Sequence, residues 1–400
     1  MAQIIDTAPT GALARRTDFA AAVKRALQDY GLMMSLVLIM AFFQWSTDGV
    51  LMQPLNLTNL VLQNSYIVIM ALGMLMVIVA GHIDLSVGSV AGLVGALAAV
   101  LMVQLNLDPV STTILCVLAG AVIGAAQGYW VAFWHMPSFI VTLAGMLVFR
   151  GLTIVLLEGQ SVGPFPGGFS MLSAGFIPEV FGTQLHVTSV LLGALVGVSF
   201  FVLDWRQRRN ALKHGLDVAP LYLSVTKNVL LATTVVSLST ILASYRGMPN
   251  VLIVMGVLII LYTFVMNRTT IGRRVYAVGG NAKAAKLSGV KTDRVVFYAF
   301  INMGILAALA GMVFAARLNS ATPKAGTGFE LDVIAACFIG GASASGGVGK
   351  VMGAVVGAFI MGVMNNGMSI MGIGVDYQQI IKGLVLLAAV FFDVYQKNKA

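Results

Sequence analysis

The sequence predicts an all-α fold, a polytopic membrane bundle of about twelve transmembrane helices. Of the 400 residues, 58% are hydrophobic and only 10% are charged, against roughly 25% charged in soluble domains. The mean hydropathy is +0.93. Apolar segments also follow one another along almost the whole chain, and most are close to the ~20 residues that a helix needs to cross the hydrocarbon core.

Twelve apolar segments are expected to form this bundle. They lie at about 31–47, 57–80, 84–105, 110–134, 138–157, 185–204, 222–244, 248–267, 295–317, 326–341, 350–373 and 377–396. The segment at 326–341 is the weakest because it is short and carries Glu330 and Asp332, so a re-entrant or broken helix is expected there. Asp84 is expected to cap the third helix. Glycines four apart at 120, 124 and 128, at 193 and 197, and at 349, 353 and 357 predict close helix packing, with a moving seam as the alternative.

The distribution of basic residues predicts which side of the membrane each loop faces. Nineteen of the 24 Lys and Arg residues fall in the terminal tails and in the loops on the same side, and three fall in the opposite loops. Cytoplasmic loops are the ones enriched in Lys and Arg, so both termini are expected to be cytoplasmic. This bias accounts for the net charge of +9, so binding to nucleic acid is not needed to explain it. The expected divisions are a cytoplasmic tail at 1–29 with an amphipathic helix, a membrane domain at 30–396 and a cytoplasmic tail at 397–400.

One basic loop, residues 268–294, has more internal structure than an ordinary connection. Gly279 and Gly280 are expected to break the chain, and Asn281 is a good N-cap for a helix of about two turns that ends near Gly289. A helix this short is not stable alone, so it is expected to be held by the bundle or by a partner.

Polar side chains within the predicted spans are mostly neutral amides. Amides both donate and accept hydrogen bonds, which suits an uncharged, polyhydroxylated solute. For any single amide, bonding between helices is the better explanation; for the set, a polar path is plausible. The predicted path consists of Gln63, Asn64, Asn302, Asn365, Asn366 and Gln378.

Two other functional classes are weighed against transport of a neutral solute. An ion-coupled secondary carrier would use the charged groups within the spans, Arg150, Lys382 and Asp332. An embedded enzyme is disfavoured because the four histidines are scattered and form no ligand or nucleophile pattern. The Gly-Lys of the segment at 340–351 lacks the preceding glycine and following Ser or Thr of a phosphate loop. No catalytic, cofactor or metal site is therefore predicted on this chain.

Four stretches together resemble the permease subunits of bacterial sugar importers in the ATP-binding-cassette superfamily. They read GRRVYAVGGNAKAAKLSGV, ALGMLMVIVAGHIDLSVGSVAGLVGA, IGGASASGGVGKVMGAVVGA and NNGMSIMGIGVDYQQIIKGLVLLAAVFFD. The likeness covers nearly the whole chain, in order, and points to the ribose, xylose and arabinose branch, with xylose-type and multiple-sugar permeases most alike. The family has about ten spans, so the stretch near 185–246 is expected to add two.

The resemblance implies a location and a set of partners. Such permeases lie in the bacterial inner membrane, pair as homodimers, and receive sugar from a periplasmic binding protein. They bind a cytoplasmic ATPase that holds ATP and Mg²⁺, so no cofactor is expected on this chain. The residues that match the family's ATPase-docking motif are Gly279, Gly280, Asn281, Ala284, Ala285, Ser288 and Gly289.

Overall fold

A computed structural model describes residues 31–182, 185–215, 218 and 220–399. The amphipathic helix expected within residues 1–29 lies outside this part of the chain. The described residues are mostly helical and contain no strand, only two isolated bridges, Val162 with Ala321 and Phe176 with Pro249.

Fifteen helices follow in chain order within the described ranges. They are α1 (Gly31–Ser46), α2 (Pro54–Val79), α3 (Val87–Ala99, continued by a π-helical turn Val100–Gln104), α4 (Pro109–Phe133), α5 (Ser138–Leu156), α6 (Gly167–Ser170), α7 (Val187–Lys213), α8 (Leu221–Ala243), α9 (Asn250–Arg268), α10 (Thr270–Gly280), α11 (Ala282–Leu287), α12 (Thr292–Leu318), α13 (Phe329–Ile339), α14 (Val351–Ile370) and α15 (Val375–Lys399). Ten of them are long and apolar enough to cross a membrane. The polytopic helical bundle predicted from the sequence is thus confirmed, with ten such helices among the described residues instead of about twelve. The predicted segments at 31–47 and 326–341 form α1 and α13, which are shorter than a full span.

Helices α2 and α12 form the centre of the bundle, with α3, α4 and α14 packed around them. Most of α2 is buried, including Ile67, Met70 and Leu75. Helices α4, α5, α7, α8 and α9 keep large apolar side chains exposed, as expected where lipid surrounds a protein. The central helices therefore define the region that solvent and lipid do not reach.

Small residues allow the central helices to approach one another closely. A Cβ atom added at Gly124 would lie 2.3 Å from the carbonyl oxygen of Phe300, and one added at Gly304 would lie 2.1 Å from that of Gly120. Because the backbones of α4 and α12 touch here, these glycines serve packing, as their spacing predicts. The peripheral α7–α8 hairpin packs in the same manner, with Gly193 against Ser239.

Helix α13 is the broken helix expected at 326–341. Its 11 residues span about 16 Å at 1.5 Å per residue, roughly half of the ~30 Å hydrocarbon core. Before it, a series of turns packs on α3, where the carbonyl oxygen of Ala325 would lie 2.4 Å from a Cβ at Gly92. After it, Gly347 N donates to the carbonyl oxygen of Val79, at the end of α2 (2.9 Å). The short helix is thus flanked by turns that pack on α3 and on the end of α2.

One prediction at a helix boundary requires correction, and one predicted division falls within a helix. Asp84 does not cap α3: its carboxylate accepts from the backbone N–H (2.8 Å) and hydroxyl (2.7 Å) of Ser86, closing a local turn before the helix begins. The C-terminal tail expected from 397 begins inside a helix, because α15 continues to Lys399.

Candidate functional site

The basic loop at 268–294 contains two short helices rather than one. Thr269 begins α10 as its N-cap, with its hydroxyl accepting from Gly272 N at 3.4 Å. The prediction that Gly279 and Gly280 break the chain is wrong, since both belong to the last turn of α10 and the break falls at Asn281. Helix α11 follows as predicted: Asn281 Oδ1 accepts from Ala284 N at 2.9 Å, and Gly289 leaves the helix with a φ of +83°.

A glycine junction fixes α10 to the core of the bundle. A Cβ atom at Gly279 would lie 1.6 Å from the carbonyl oxygen of Val79 and 2.6 Å from Gly347 N, so only glycine fits between the end of α2 and the α13–α14 connection. The hydroxyl of Tyr276 also donates to the carbonyl oxygen of Gly349 at 2.6 Å. Helix α10 is therefore held directly against α2 and against the connection between α13 and α14.

Helix α11 projects from this junction with its outer surface uncovered. Ala285 is buried and anchors the helix, whereas Lys283, Lys286 and Ser288 are exposed. The side chain of Leu287 is 91% exposed. An apolar side chain this exposed between lysines is what a protein partner would cover, because apolar anchors with polar rims are typical of interfaces.

A cleft of about 670 Å³ lies beside α11 and is bordered by the ends of α2 and α4 and the starts of α5 and α12. His82, His135, Lys283, Lys286 and Asp293 contribute its titratable groups. Burial lowers the pKa of the His82 imidazole below its ordinary value. Lys283 and Lys286 place two cationic side chains on the lining of the cleft.

A second, smaller cavity lies inside the bundle and brings together three of the predicted path residues. It has a volume of about 110 Å³ and is lined by Gln63, Asn64, Tyr66, Ile67, Phe314, Arg317, Gly362 and Asn365. The side chain of Asn64 is buried, and neither its amide nitrogen nor its oxygen has a hydrogen-bond partner within the described residues. Leaving a buried polar group unpaired costs about 1–3 kcal/mol. Asn64 is therefore an unusual buried residue, because both polar atoms of its amide are unpaired.

The other three predicted path residues lie elsewhere: two bond between helices, and Gln378 bonds to the loop that precedes its own helix. Asn366 exchanges two hydrogen bonds with Asn56, at 2.9 and 3.0 Å. Asn302 accepts from the hydroxyl of Tyr262. Gln378 donates to the carbonyl oxygen of Ile373 at 2.9 Å. For these amides the structure favours the packing explanation over a shared path.

Two ion pairs with buried carboxylates and partly exposed cations hold the N-terminal turn of α13, and sequence reasoning missed both pairings. Glu330 lies 2.8 Å from Arg150 on α5, and Asp332 lies 3.0 Å from Lys382 on α15. Asn365 on α14 also donates to Asp332 at 3.2 Å. The charged groups suspected of ion coupling are therefore paired, with both carboxylates at the helix terminus that favours negative charge.

Comparison with known proteins identifies the family. The family described as "Branched-chain amino acid transport system / permease component" matches residues 56–390. The xylose transport system permease protein XylH of Haemophilus influenzae is 41% identical over 374 residues, which cover 93% of this chain and 98% of that protein. Its Escherichia coli counterpart is 40% identical, over 94% of this chain and 93% of that protein. The ribose import permease protein RbsC of Bacillus subtilis is 33% identical, over 86% and 85%.

No solved structure matches the chain. The family match covers more than half of the residues, and the similarity to the xylose and ribose permeases runs almost from end to end. An ion-coupled secondary carrier is thereby excluded. The chain belongs to this family of permease components and is a membrane-spanning subunit of an ABC importer in the bacterial inner membrane.

Proposed function

We propose that this permease passes a monosaccharide, a pentose or hexose of the kind named for its relatives, from a periplasmic binding protein into the cytoplasm. The observation that carries the proposal is similarity of 40% or more over nearly the full length to two permeases named for xylose transport. The same family also has a description that names branched-chain amino acids, which makes leucine the second candidate solute.

Transport is driven by a separate ATPase that docks on α11. The docking set is Gly279, Gly280, Asn281, Ala284, Ala285, Ser288 and Gly289. These residues contribute to docking in different ways. Gly279 joins α10 to the bundle, Asn281 caps α11 and the buried Ala285 holds it, while Ala284, Ser288 and Gly289 belong to the exposed surface that meets the partner.

The ATPase holds ATP and Mg²⁺, and this chain carries no cofactor of its own. Both termini and α10–α11 face the cytoplasm, which agrees with the exposed basic residues Arg273, Arg274, Lys283 and Lys286 around the docking surface and with the enrichment of Lys and Arg in cytoplasmic loops. Two copies of the chain form the transporter, one for each ATPase subunit.

Coupling follows from the glycine junction. Movement of the ATPase displaces α11 and α10, and the contacts of Gly279 transmit that displacement to Val79 on α2 and to Gly347 beside α14. Helices α2 and α14 carry the amides of the small cavity, Gln63, Asn64 and Asn365, which form the sugar path. For ATP to drive transport, these contacts must differ between the outward- and inward-open states.

The test is uptake by proteoliposomes that contain this chain, its ATPase and its binding protein. Labelled xylose, ribose and leucine are compared with and without ATP. The proposal expects ATP-dependent uptake of at least one of the two sugars and none of leucine. Uptake of leucine alone, or sugar uptake that continues at full rate without ATP hydrolysis, contradicts it.

A further inference from the structure

The cavity around Asn64 has a feature that helix packing does not explain. Asn64 is only 1% exposed, and both of its amide atoms lack a protein partner within the described residues. The buried Asn366 on the neighbouring helix is, by contrast, fully engaged with Asn56. Buried amides in proteins are nearly always paired, so the unpaired state of Asn64 requires a reason.

The groups around Asn64 indicate the chemistry of a ligand. Asn365 donates to Asp332, but its oxygen has no partner. Arg317 lines the same cavity, and no carboxylate lies within ion-pairing distance of it among the described side chains. The cavity thus offers acceptors in the two amide oxygens and donors in the Asn64 amide and the guanidinium. Adjacent hydroxyl groups, which both donate and accept, satisfy such a mixed set.

The size of the cavity limits what fits beside Asn64. Its volume of about 110 Å³ is well below the ~300 Å³ at which ligand pockets usually begin. Gly362 forms the wall beside Asn64, since a Cβ atom there would lie 2.4–2.7 Å from the Asn64 amide group. A sugar therefore requires the cavity to widen, and a methyl group on Gly362 would collide with the amide.

We propose that Asn64, Asn365 and Arg317 form a polyol-binding site at which the sugar pauses during its passage through the bundle. This inference rests on the proposed function and adds to it a binding site within the permease. The amides pair with adjacent hydroxyls of the sugar, and Gly362 leaves room for its ring when the cavity expands. Discrimination between solutes is then partly a property of this chain, because unpaired polar groups disfavour any solute that lacks hydroxyls.

The first test measures how well the site is protected by sugar. Gln63, exposed at the mouth of the cavity, is changed to cysteine in the complete transporter. The native Cys116 and Cys337 are buried and give little background. During ATP-driven turnover, saturating xylose or ribose should slow modification of Gln63→Cys by a small water-soluble thiol reagent at least tenfold, and leucine should not. Adding Asn64→Leu should reduce the protection to less than twofold.

The second test uses sugar uptake with a matched control. Asn64→Leu should raise the KM for sugar uptake at least tenfold. Gly362→Ala should do the same, because its methyl group would displace the Asn64 amide. Thr58→Val serves as the control, because Thr58 is buried on the same helix with its hydroxyl already bonded to Pro54, and its KM should stay within twofold of the parent value.

The outcomes separate the inference from the proposed function. Absence of ATP-dependent uptake by the parent transporter overturns both. The parent transporter takes up sugar normally in the other case. An unchanged KM in Asn64→Leu, with no sugar protection at Gln63→Cys, then overturns the binding site alone and leaves the cavity as a hydrated gap.

Discussion

The glycine junction makes a prediction about two neighbouring residues. Gly279→Ala places a methyl group 1.6 Å from the carbonyl oxygen of Val79 and 2.6 Å from Gly347 N, so the backbone must move by more than an ångström. Gly280→Ala meets no atom within 4 Å, and because alanine is the better helix former there, it should be neutral or stabilising by about 0.5–1 kcal/mol.

The size of the Gly279→Ala effect follows from its two contacts. Overpacking at a tight contact costs about 1–3 kcal/mol, and the hydrogen bond from Gly347 to Val79 (2.9 Å) is worth about 1 kcal/mol if it breaks. If this cost weakens the coupling between the ATPase and the bundle, a loss of about 1–3 kcal/mol of coupling free energy corresponds to a 5- to 150-fold loss of stimulation. The expected change is therefore large enough to measure.

The assay is ATP hydrolysis by the reconstituted transporter, stimulated by the binding protein loaded with sugar. Gly279→Ala should lose at least fivefold of this stimulation while the ATPase still co-purifies with the permease, because α11 keeps its exposed surface. Gly280→Ala, although it belongs to the docking set, adds only a methyl group that meets no atom of the bundle, so it should keep most of the stimulation. Equal stimulation in all three proteins would refute the reasoning that the junction transmits movement.

Three further predictions concern packing, charge and docking. Gly304→Ala, which would bring a Cβ within 2.1 Å of the α4 backbone, should destabilise the bundle by about 1–3 kcal/mol and lower its thermal midpoint in detergent, whereas Gly256→Ala has open space and should not. Lys382→Met leaves the buried Asp332 carboxylate without its cation and should lower the free energy of unfolding by about 3–5 kcal/mol. Adding Asp332→Asn should recover part of the loss of thermal stability. A double variant no more stable than Lys382→Met would count against the pairing. Leu287→Ala changes a side chain that is 91% exposed and should not change the thermal midpoint. It should weaken ATPase binding by at least about 2 kcal/mol if Leu287 is an interface hot spot. Unchanged affinity in a titration of the ATPase would exclude that role.

The sequence predicted local and periodic features correctly because they depend on neighbouring residues. The long apolar runs became helices, the short acidic run at 326–341 became the broken helix α13, and the Asn281 cap and Gly289 stop delimited α11. Each of these depends on hydropathy or capping chemistry that is visible within a few residues.

The features that could not be predicted depend on contacts between distant residues. Arg150 and Glu330 are 180 positions apart, and Asn56 and Asn366 are 310 apart, so nothing in the sequence links them. Composition alone groups the amides, and only the fold shows that Gln63, Asn64 and Asn365 share a cavity while Asn302 and Asn366 bond between helices. The close fit of Gly279 against Val79 and Gly347 likewise emerges only when three separate segments meet.

Labelling of Ser288→Cys with a membrane-impermeant maleimide tests most directly whether α11 is the docking surface for a cytoplasmic ATPase. Ser288 is an exposed position on α11. Modification is expected in inside-out vesicles only, and saturating ATPase subunit should suppress it. Modification from the outer side of right-side-out vesicles, or a labelling rate that the ATPase leaves unchanged, would contradict it.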